Sequence, residues 1–308
     1  MKKISKLKTS HANSIALSKD GTKAYIADGD KGLVIIDISN PANPTKLGSY
    51  NTKGYAESIA LSKDETKAYI ADADNGLVII DISNPTNPTK LGSFHTGGYA
   101  ESIALSKDET KAYIADGRNG LVIVDISDPA HPTQFVKFGK FSFFHIEGYS
   151  RHIALSKDGT KVYLSDGGEG LVISNSMNPI KLGSFHTKGY ATHITLSKDG
   201  TKAYLADGDK GLVIIDISNP MNPTKLGSFH TKGYATHITL SKDGTKAYLA
   251  YGVSGLVIID ISNPTNPTKL GSFHTGGYAE SIALSKDETK AYIADGLNGL
   301  VIVDIKEN

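Results

Sequence analysis

The tetrapeptide Gly-Leu-Val-Ile begins at Gly32, Gly76, Gly120, Gly170, Gly211, Gly255 and Gly299, at steps of 44, 44, 50, 41, 44 and 44 residues. A unit of this size, repeated from one end of a 308-residue chain to the other, restricts the fold to a stack or a ring of similar modules. Some copies have barely diverged: residues 90–127 and 269–306 differ only at Arg118 versus Leu297 and Ser127 versus Lys306.

The second copy shows what one module contains. Ser58 to Leu61 is a short apolar run, and Lys63-Asp64-Glu65-Thr66 supplies a tight turn. Lys67 to Ala71 is a second strand, closed by Asp72-Ala73-Asp74-Asn75-Gly76. Leu77 to Ile82, rich in β-branched residues, is the third. Ser83-Asn84-Pro85-Thr86-Asn87-Pro88 must be a loop, because proline has no N–H for a sheet ladder. Lys90 to His95 is the fourth. No stretch has the 3.6-residue apolar period of a helix.

Four short strands in about 44 residues make a propeller blade. A linear stack would need polar end caps, whereas the outermost copies here resemble the inner ones. The chain starts on Ile4-Ser5-Lys6-Leu7-Lys8-Thr9, which reads as a fourth strand, and ends at Asp304 after a third. The expectation is an all-β, seven-bladed propeller with four antiparallel strands per blade, closed 3+1 by the N-terminal strand. As a single domain over 1–308, its blades fall at about 11–54, 55–98, 99–148, 149–189, 190–233, 234–277 and 278–308 plus 1–10.

The motif Leu-Val-Ile-Val-Asp at 121–125 and 300–304, with Leu-Val-Ile-Ile-Asp in four other copies, resembles the LVIVD-repeat family over essentially the whole chain. The Lys-Asp-Gly-Thr-Lys turns are more distantly similar to YVTN and TolB-type propellers. The family resemblance implies a propeller at a prokaryotic cell surface or otherwise outside the membrane. It implies no catalytic activity and carries over no catalytic residue.

Composition removes several function classes. With 33 basic and 32 acidic residues interleaved along the chain, no strong field favours nucleic acid or an anionic membrane. Aliphatic runs stop at four residues, so no transmembrane helix is expected. Met1-Lys2-Lys3 is followed by no apolar core of a signal peptide. The absence of cysteine excludes disulfides, thiolate metal sites and cysteine nucleophiles. Gly-x-Ser-x-Gly, His-Glu-x-x-His and phosphate-cradling glycine loops are missing as well.

The fourth-to-first and second-to-third connections share one face at the mouth of the channel, where loops on a rigid scaffold commonly bind ligands. That face carries a repeated His-Thr-Lys/Gly-Gly-Tyr segment, with Tyr99, Tyr149, Tyr190 and Tyr234 as candidate ligand-binding residues. Three positions past each tyrosine the repeat loses its symmetry. Ser14, Ser58, Ser102 and Ser281 occupy that place in four blades, and His152, His193 and His237 in three consecutive ones. The preceding position gives Glu57, Glu101 and Glu280 on one arc and Arg151, Thr192 and Thr236 on the other.

Three readings of this arc stand side by side: a divalent metal held by converging imidazoles, a polar small-ligand site to which Glu57, Glu101 and Glu280 also contribute, or structural hydrogen bonding in a duplicated blade. No other cofactor is expected. The Asp-x-Asp turns, such as Asp28-Gly29-Asp30, read as turn chemistry and not as calcium loops, since the closing bidentate glutamate is missing. The repeated Asp37, Asp81, Asp125, Asp216, Asp260 and Asp304 read as anchors of the Ser-Asn-Pro loops.

The third blade is longer, and its outer region contains Phe135, Phe138, Phe141, Phe143 and Phe144, five of the nine phenylalanines. An aromatic edge of this kind suits a partner or self-association contact, or simply covers the neighbouring blade. The functional expectation is a non-enzymatic scaffold for an unknown protein or small ligand. Its competitors are a metalloprotein or enzyme using the channel-mouth histidines, and a purely structural repeat protein.

Overall fold

The computed structural model describes residues 1–135, 148–230 and 232–306. Seven four-stranded antiparallel sheets form a ring, and no helix occurs among the described residues. Blade two is representative: Ser58–Leu61, Lys67–Ala71, Leu77–Asp81 and Thr89–Phe94 run in order from the channel outward. The first strands of neighbouring blades lie against one another around the axis. Blade seven takes its outermost strand, Lys2–Leu7, from the N-terminus, paired with Leu300–Asp304.

There is no single core. Seven apolar clusters occur, and each lies between two blades. In one of them Tyr25, Ala27, Leu33 and Ile35 of blade one pack on Ala56, Ile59, Ile70, Val78 and Ile80 of blade two. Residues of the third strand alternate between clusters: Val34 and Ile36 face blade seven while Leu33 and Ile35 face blade two. Period-two alternation on a strand buried on both sides explains why Leu-Val-Ile-Ile is continuously apolar.

Polar contacts repeat with the same period. The second-to-third turn of each blade forms an antiparallel bridge with the loop entering the next, from Gly29↔Ala56 round to Ala12↔Gly296. A tyrosine of the next blade covers the turn at Gly29, Gly117, Gly167, Gly208 and Gly252, and His11 takes that place at Gly296. A Cβ at Gly117 would stand 3.0 Å from the Tyr149 ring, and Gly117 is also left-handed with φ of 56°, so two separate constraints favour glycine, although Ala73 takes the same left-handed position in blade two.

On the opposite face, Glu65, Glu109 and Glu288 adopt left-handed φ of 55–57° where other blades use glycine. The compensation for this backbone cost is a clamp. Their carboxylates accept hydrogen bonds from the backbone N–H groups of Lys19, Lys63 and Lys242 in the preceding blade, at 2.5–2.6 Å.

The loop anchors behave as their regularity suggests. Asp37, Asp81, Asp125, Asp216 and Asp260 each accept the backbone N–H two residues ahead, at 2.8–2.9 Å. Asp304 does the same to Lys306. The two acids of the Asp-x-Asp turns serve different partners. Asp28 is buried and accepts from Thr9 and from the Ser10 and His11 backbone, while the exposed Asp30 accepts from Ser10 Oγ.

Of the aromatic edge, Phe138, Phe141 and Phe143 lie outside the described residues. Phe135 packs against the cluster between blades three and four, and Lys111 Nζ sits 4.4 Å from its ring centroid.

If the interfaces carry the stability, truncating one fully buried third-strand residue is costly. Ile79→Ala, at the interface of blades two and three, is expected to lower unfolding free energy by about 2–5 kcal/mol in urea titrations. A loss below about 1 kcal/mol would contradict that assignment.

Candidate functional site

The channel opens into a cavity of about 440 Å³ on the face that carries the tyrosine loops. Its walls come from the start of each first strand and the residue before it, so a pattern shift in two sequence positions changes the whole lining. Asn13, Glu57, Glu101 and Glu280 contribute one arc; Arg151, Thr192 and Thr236 contribute the other. One step along, Ser14, Ser58 and Ser281 face His152, His193 and His237.

The carboxyl groups are in unequal environments. Glu101 has an 8% exposed side chain and receives Arg151 Nη1 on both oxygens at 2.8 Å. The guanidinium lies between two rings, 5.3 Å from Tyr149 and 5.5 Å from Tyr190. Burial raises the Glu101 pKa and Arg151 opposes it. Burial also works against the Arg151 charge, but Glu101 outweighs it and the guanidinium is held more firmly protonated than usual.

Glu57 has no cation of its own. Tyr99 donates to its Oε1 at 2.8 Å and Asn13 Nδ2 to its Oε2 at 3.3 Å. Burial, then repulsion from Glu101, pushes its pKa up to about 7. Glu280 is pushed up to about 7 by burial and then by Glu57. Burial followed by the neighbouring carboxylate raises the Tyr99 and Tyr149 hydroxyls beyond the usual phenol range, and burial lifts Tyr234 to about 12.

His152, His193 and His237 do come together, but as a column. Successive ring centroids are 3.5 and 3.7 Å apart, with the outer pair at 6.5 Å. The successive rings meet face toward face at interplanar angles of 30° and 42°, an arrangement of ring faces and not of converging ring nitrogens. Among the described residues no group of three His, Cys, Asp or Glu is disposed to hold a metal ion. Burial holds all three rings neutral, with His152 and His237 lowered to about 3 and His193 also well below 6.5. His152 Nδ1 accepts the Ile194 N–H at 3.5 Å, whereas His193 Nδ1 and His237 Nδ1 have no partner.

Of the tyrosines singled out in the sequence, Tyr234 lines the cavity, Tyr99 holds Glu57, and Tyr149 and Tyr190 flank Arg151. Sequence reasoning left Arg151 outside the candidate set, although it is the partner of Glu101 and one of only two arginines in the chain. Its standing where three blades place glutamate was the available signal. Tyr55, Tyr278 and His11 also line the cavity; His11 occupies the tyrosine position in blade one.

The histidines have a pH consequence whose sign is definite. Their folded pKa lies below the unfolded value near 6.5, so their contribution is present above that pH and lost as pH falls toward about 3. Changing all three to serine, the residue of the other four blades, is expected to shrink the drop in urea midpoint between about pH 7 and about pH 5. An unchanged drop would show that the column does not set acid lability.

Six segments match the family model described as the LVIVD repeat: 10–52, 53–96, 97–138, 188–231, 232–275 and 276–307. The unmatched stretch contains Arg151 and His152, where the repeat has diverged most. A search of curated proteins returned no match. Among solved structures, the β-propeller domain of Cps50 (Swd1) from Myceliophteria thermophila has a TM-score of 0.80 at 13% identity, covering 99% of each chain. Hydrazine synthase from Kuenenia stuttgartiensis gives 0.77 at 14% identity over 98% of each. The periplasmic gluconolactonase PpgL from Pseudomonas aeruginosa gives 0.75 at 14% identity, over 95% of this chain and 91% of that one. At such identities these similarities establish the fold alone. With its repeats matched over most of its length, the chain belongs to the LVIVD-repeat family of β-propellers.

Proposed function

We propose that this protein is a non-enzymatic binding scaffold, working at the cell surface, whose site is the channel-mouth cavity and whose ligand is a polar small molecule. One observation carries this reading. The cavity, at about 440 Å³, falls in the size range of small-molecule sites and is lined by buried ionisable groups that the repeat does not require. Four blades fold with serine where three have histidine, and three fold with glutamate where others have threonine, arginine or asparagine. Residues that vary where the architecture is constant are free to serve a ligand.

A non-catalytic role fits the same inventory. Every hydroxyl in the cavity and every imidazole but His11 belongs to a set repeated over several blades, and among the described lining residues no serine is hydrogen-bonded to a base as an activated nucleophile. The enzymatic activities of hydrazine synthase and gluconolactonase belong to those proteins.

The test is a thermal-shift screen of polar metabolites on the wild type and on Ser58→Trp, which puts an indole into the mouth. Thr236→Phe serves as a second filling variant should the first fail to fold. Hits are expected to stabilise the wild type and to lose their effect in the filled variants. Hits that survive filling would place binding elsewhere.

A second reading, a divalent metal at His152, His193 and His237, draws on the unpartnered Nδ1 atoms of His193 and His237. It requires the column to open. Elemental analysis of purified protein with and without His193→Ala decides it: stoichiometric metal lost in the variant supports it, and metal-free wild type excludes it.

A further inference from the structure

We infer that the ligand taken by this cavity is a small organic cation, an alkylammonium or guanidinium compound, whose charged end is held by Glu57 and Glu280. The inference rests on the cavity being a ligand site and adds the chemistry of what fills it.

A charge inventory of the lining leads there. The only cationic side chain among the described lining residues, Arg151, is already paired: both Glu101 oxygens accept from its Nη1, and two tyrosine rings lie near its guanidinium. No lysine is among the described lining residues. An anionic ligand would therefore meet a guanidinium whose charge is already balanced by Glu101. Glu57 is bonded only to neutral donors, Tyr99 and Asn13. The Glu280 carboxyl has no hydrogen bond or ion pair to any described residue; only its backbone N–H is bonded, to Ala294 O.

The reason for the unpartnered Glu280 lies in the ring closure. Each mouth glutamate looks to the tyrosine of the following blade: Glu57 to Tyr99, and Glu101 to Tyr149. The blade after seven is blade one, where His11 replaces that tyrosine, so the hydroxyl that would have served Glu280 is missing. The pattern breaks once, and it breaks beside the other carboxyl that lacks a cation.

An independent observation comes from the facing wall. His193 is 8% exposed, lines the cavity, and has an Nδ1 with no partner in the protein. A neutral imidazole carries no charge to repel a cation, and its bare ring nitrogen accepts hydrogen bonds from N–H groups. The cavity thus has three carboxyl groups on one arc, and on the other the paired Arg151 beside uncharged threonines and histidines.

Titration follows from the same geometry. Glu57 faces Tyr99, Asn13, Glu101, Arg151 and Asp72; Glu280 faces Glu57, Arg151, Asp295, Tyr55 and Tyr278. Burial and mutual repulsion hold both near 7, so the empty site retains protons at neutral pH. A bound cation favours the ionised pair. Binding then releases protons, and affinity rises with pH.

The experiment is calorimetric titration with n-butylammonium chloride and with agmatine, with sodium butyrate as the anionic comparator. Both cations are expected to bind and butyrate not, with affinity about tenfold higher near pH 8 than near pH 6. Glu280→Gln should weaken binding about tenfold at the higher pH and flatten the pH dependence; Glu57→Gln is the second variant if the first misfolds. Binding of butyrate in preference, affinity that falls with rising pH, unchanged affinity in both variants, or no binding of either cation at millimolar concentration would overturn the inference. If a metabolite hit is lost in Ser58→Trp while the cations fail to bind, the site stands and its proposed ligand class falls. If no binding depends on filling the mouth, the site itself falls.

Discussion

Each blade can bury its two apolar faces only when a blade stands on either side, and everything else in this structure depends on that requirement. A strand reading Leu-Val-Ile-Ile supplies alternating side chains to two different interfaces. The cost of leaving one such face in water scales with its apolar area, so an open array would carry two such faces and a closed ring carries none. The backbone bridges between successive blades add direction to this packing. The bridge at the seam, Ala12 N to Gly296 O at 3.0 Å and Gly296 N to Ala12 O at 3.2 Å, matches the 2.9 and 3.3 Å of the bridge between Ala56 and Gly29.

Closure of this kind separates two sets of residues. Those facing neighbouring blades, or holding turns, recur nearly unchanged because each interface poses the same steric problem. Those facing the channel meet adjoining blades through polar side-chain contacts such as Arg151 with Glu101 and Thr192 with Ala235 O, and they vary from blade to blade while the ring stays constant. The mouth is therefore where sequence differences accumulate: the Arg151–Glu101 pair, the histidine column, and the two carboxyl groups without a cation. Preorganisation is a by-product, since most lining residues sit at the start of a first strand or just before it.

The ring, its strand order and the clasp were legible from the Gly-Leu-Val-Ile period and the split last blade, because backbone pattern and burial recur locally. The asymmetric positions Glu57, Glu101, Glu280, His152, His193 and His237 were legible too, as departures from that period. What they do was not. Whether three imidazoles converge or stack depends on side-chain rotations across strands more than 40 residues apart, and no local pattern encodes these. Arg151 was passed over for the same reason: its partner Glu101 stands 50 residues away, in another blade. The unpartnered state of Glu280 needed two facts at once, that blade one follows blade seven and that His11 replaces tyrosine there.

Native-state hydrogen exchange at the bridging amides tests closure most directly. The seven donors on the loop side are Ala12, Ala56, Ala100, Ser150, Ala191, Ala235 and Ala279. If the ring is held as tightly at its seam as between any other blades, the Ala12 amide exchanges only through global unfolding, as slowly as the Ala56 amide. Exchange at Ala12 and Gly296 that is orders of magnitude faster than at the other bridges would mean that the seam opens on its own. The ring would then be a chain of blades in contact and not a closed scaffold.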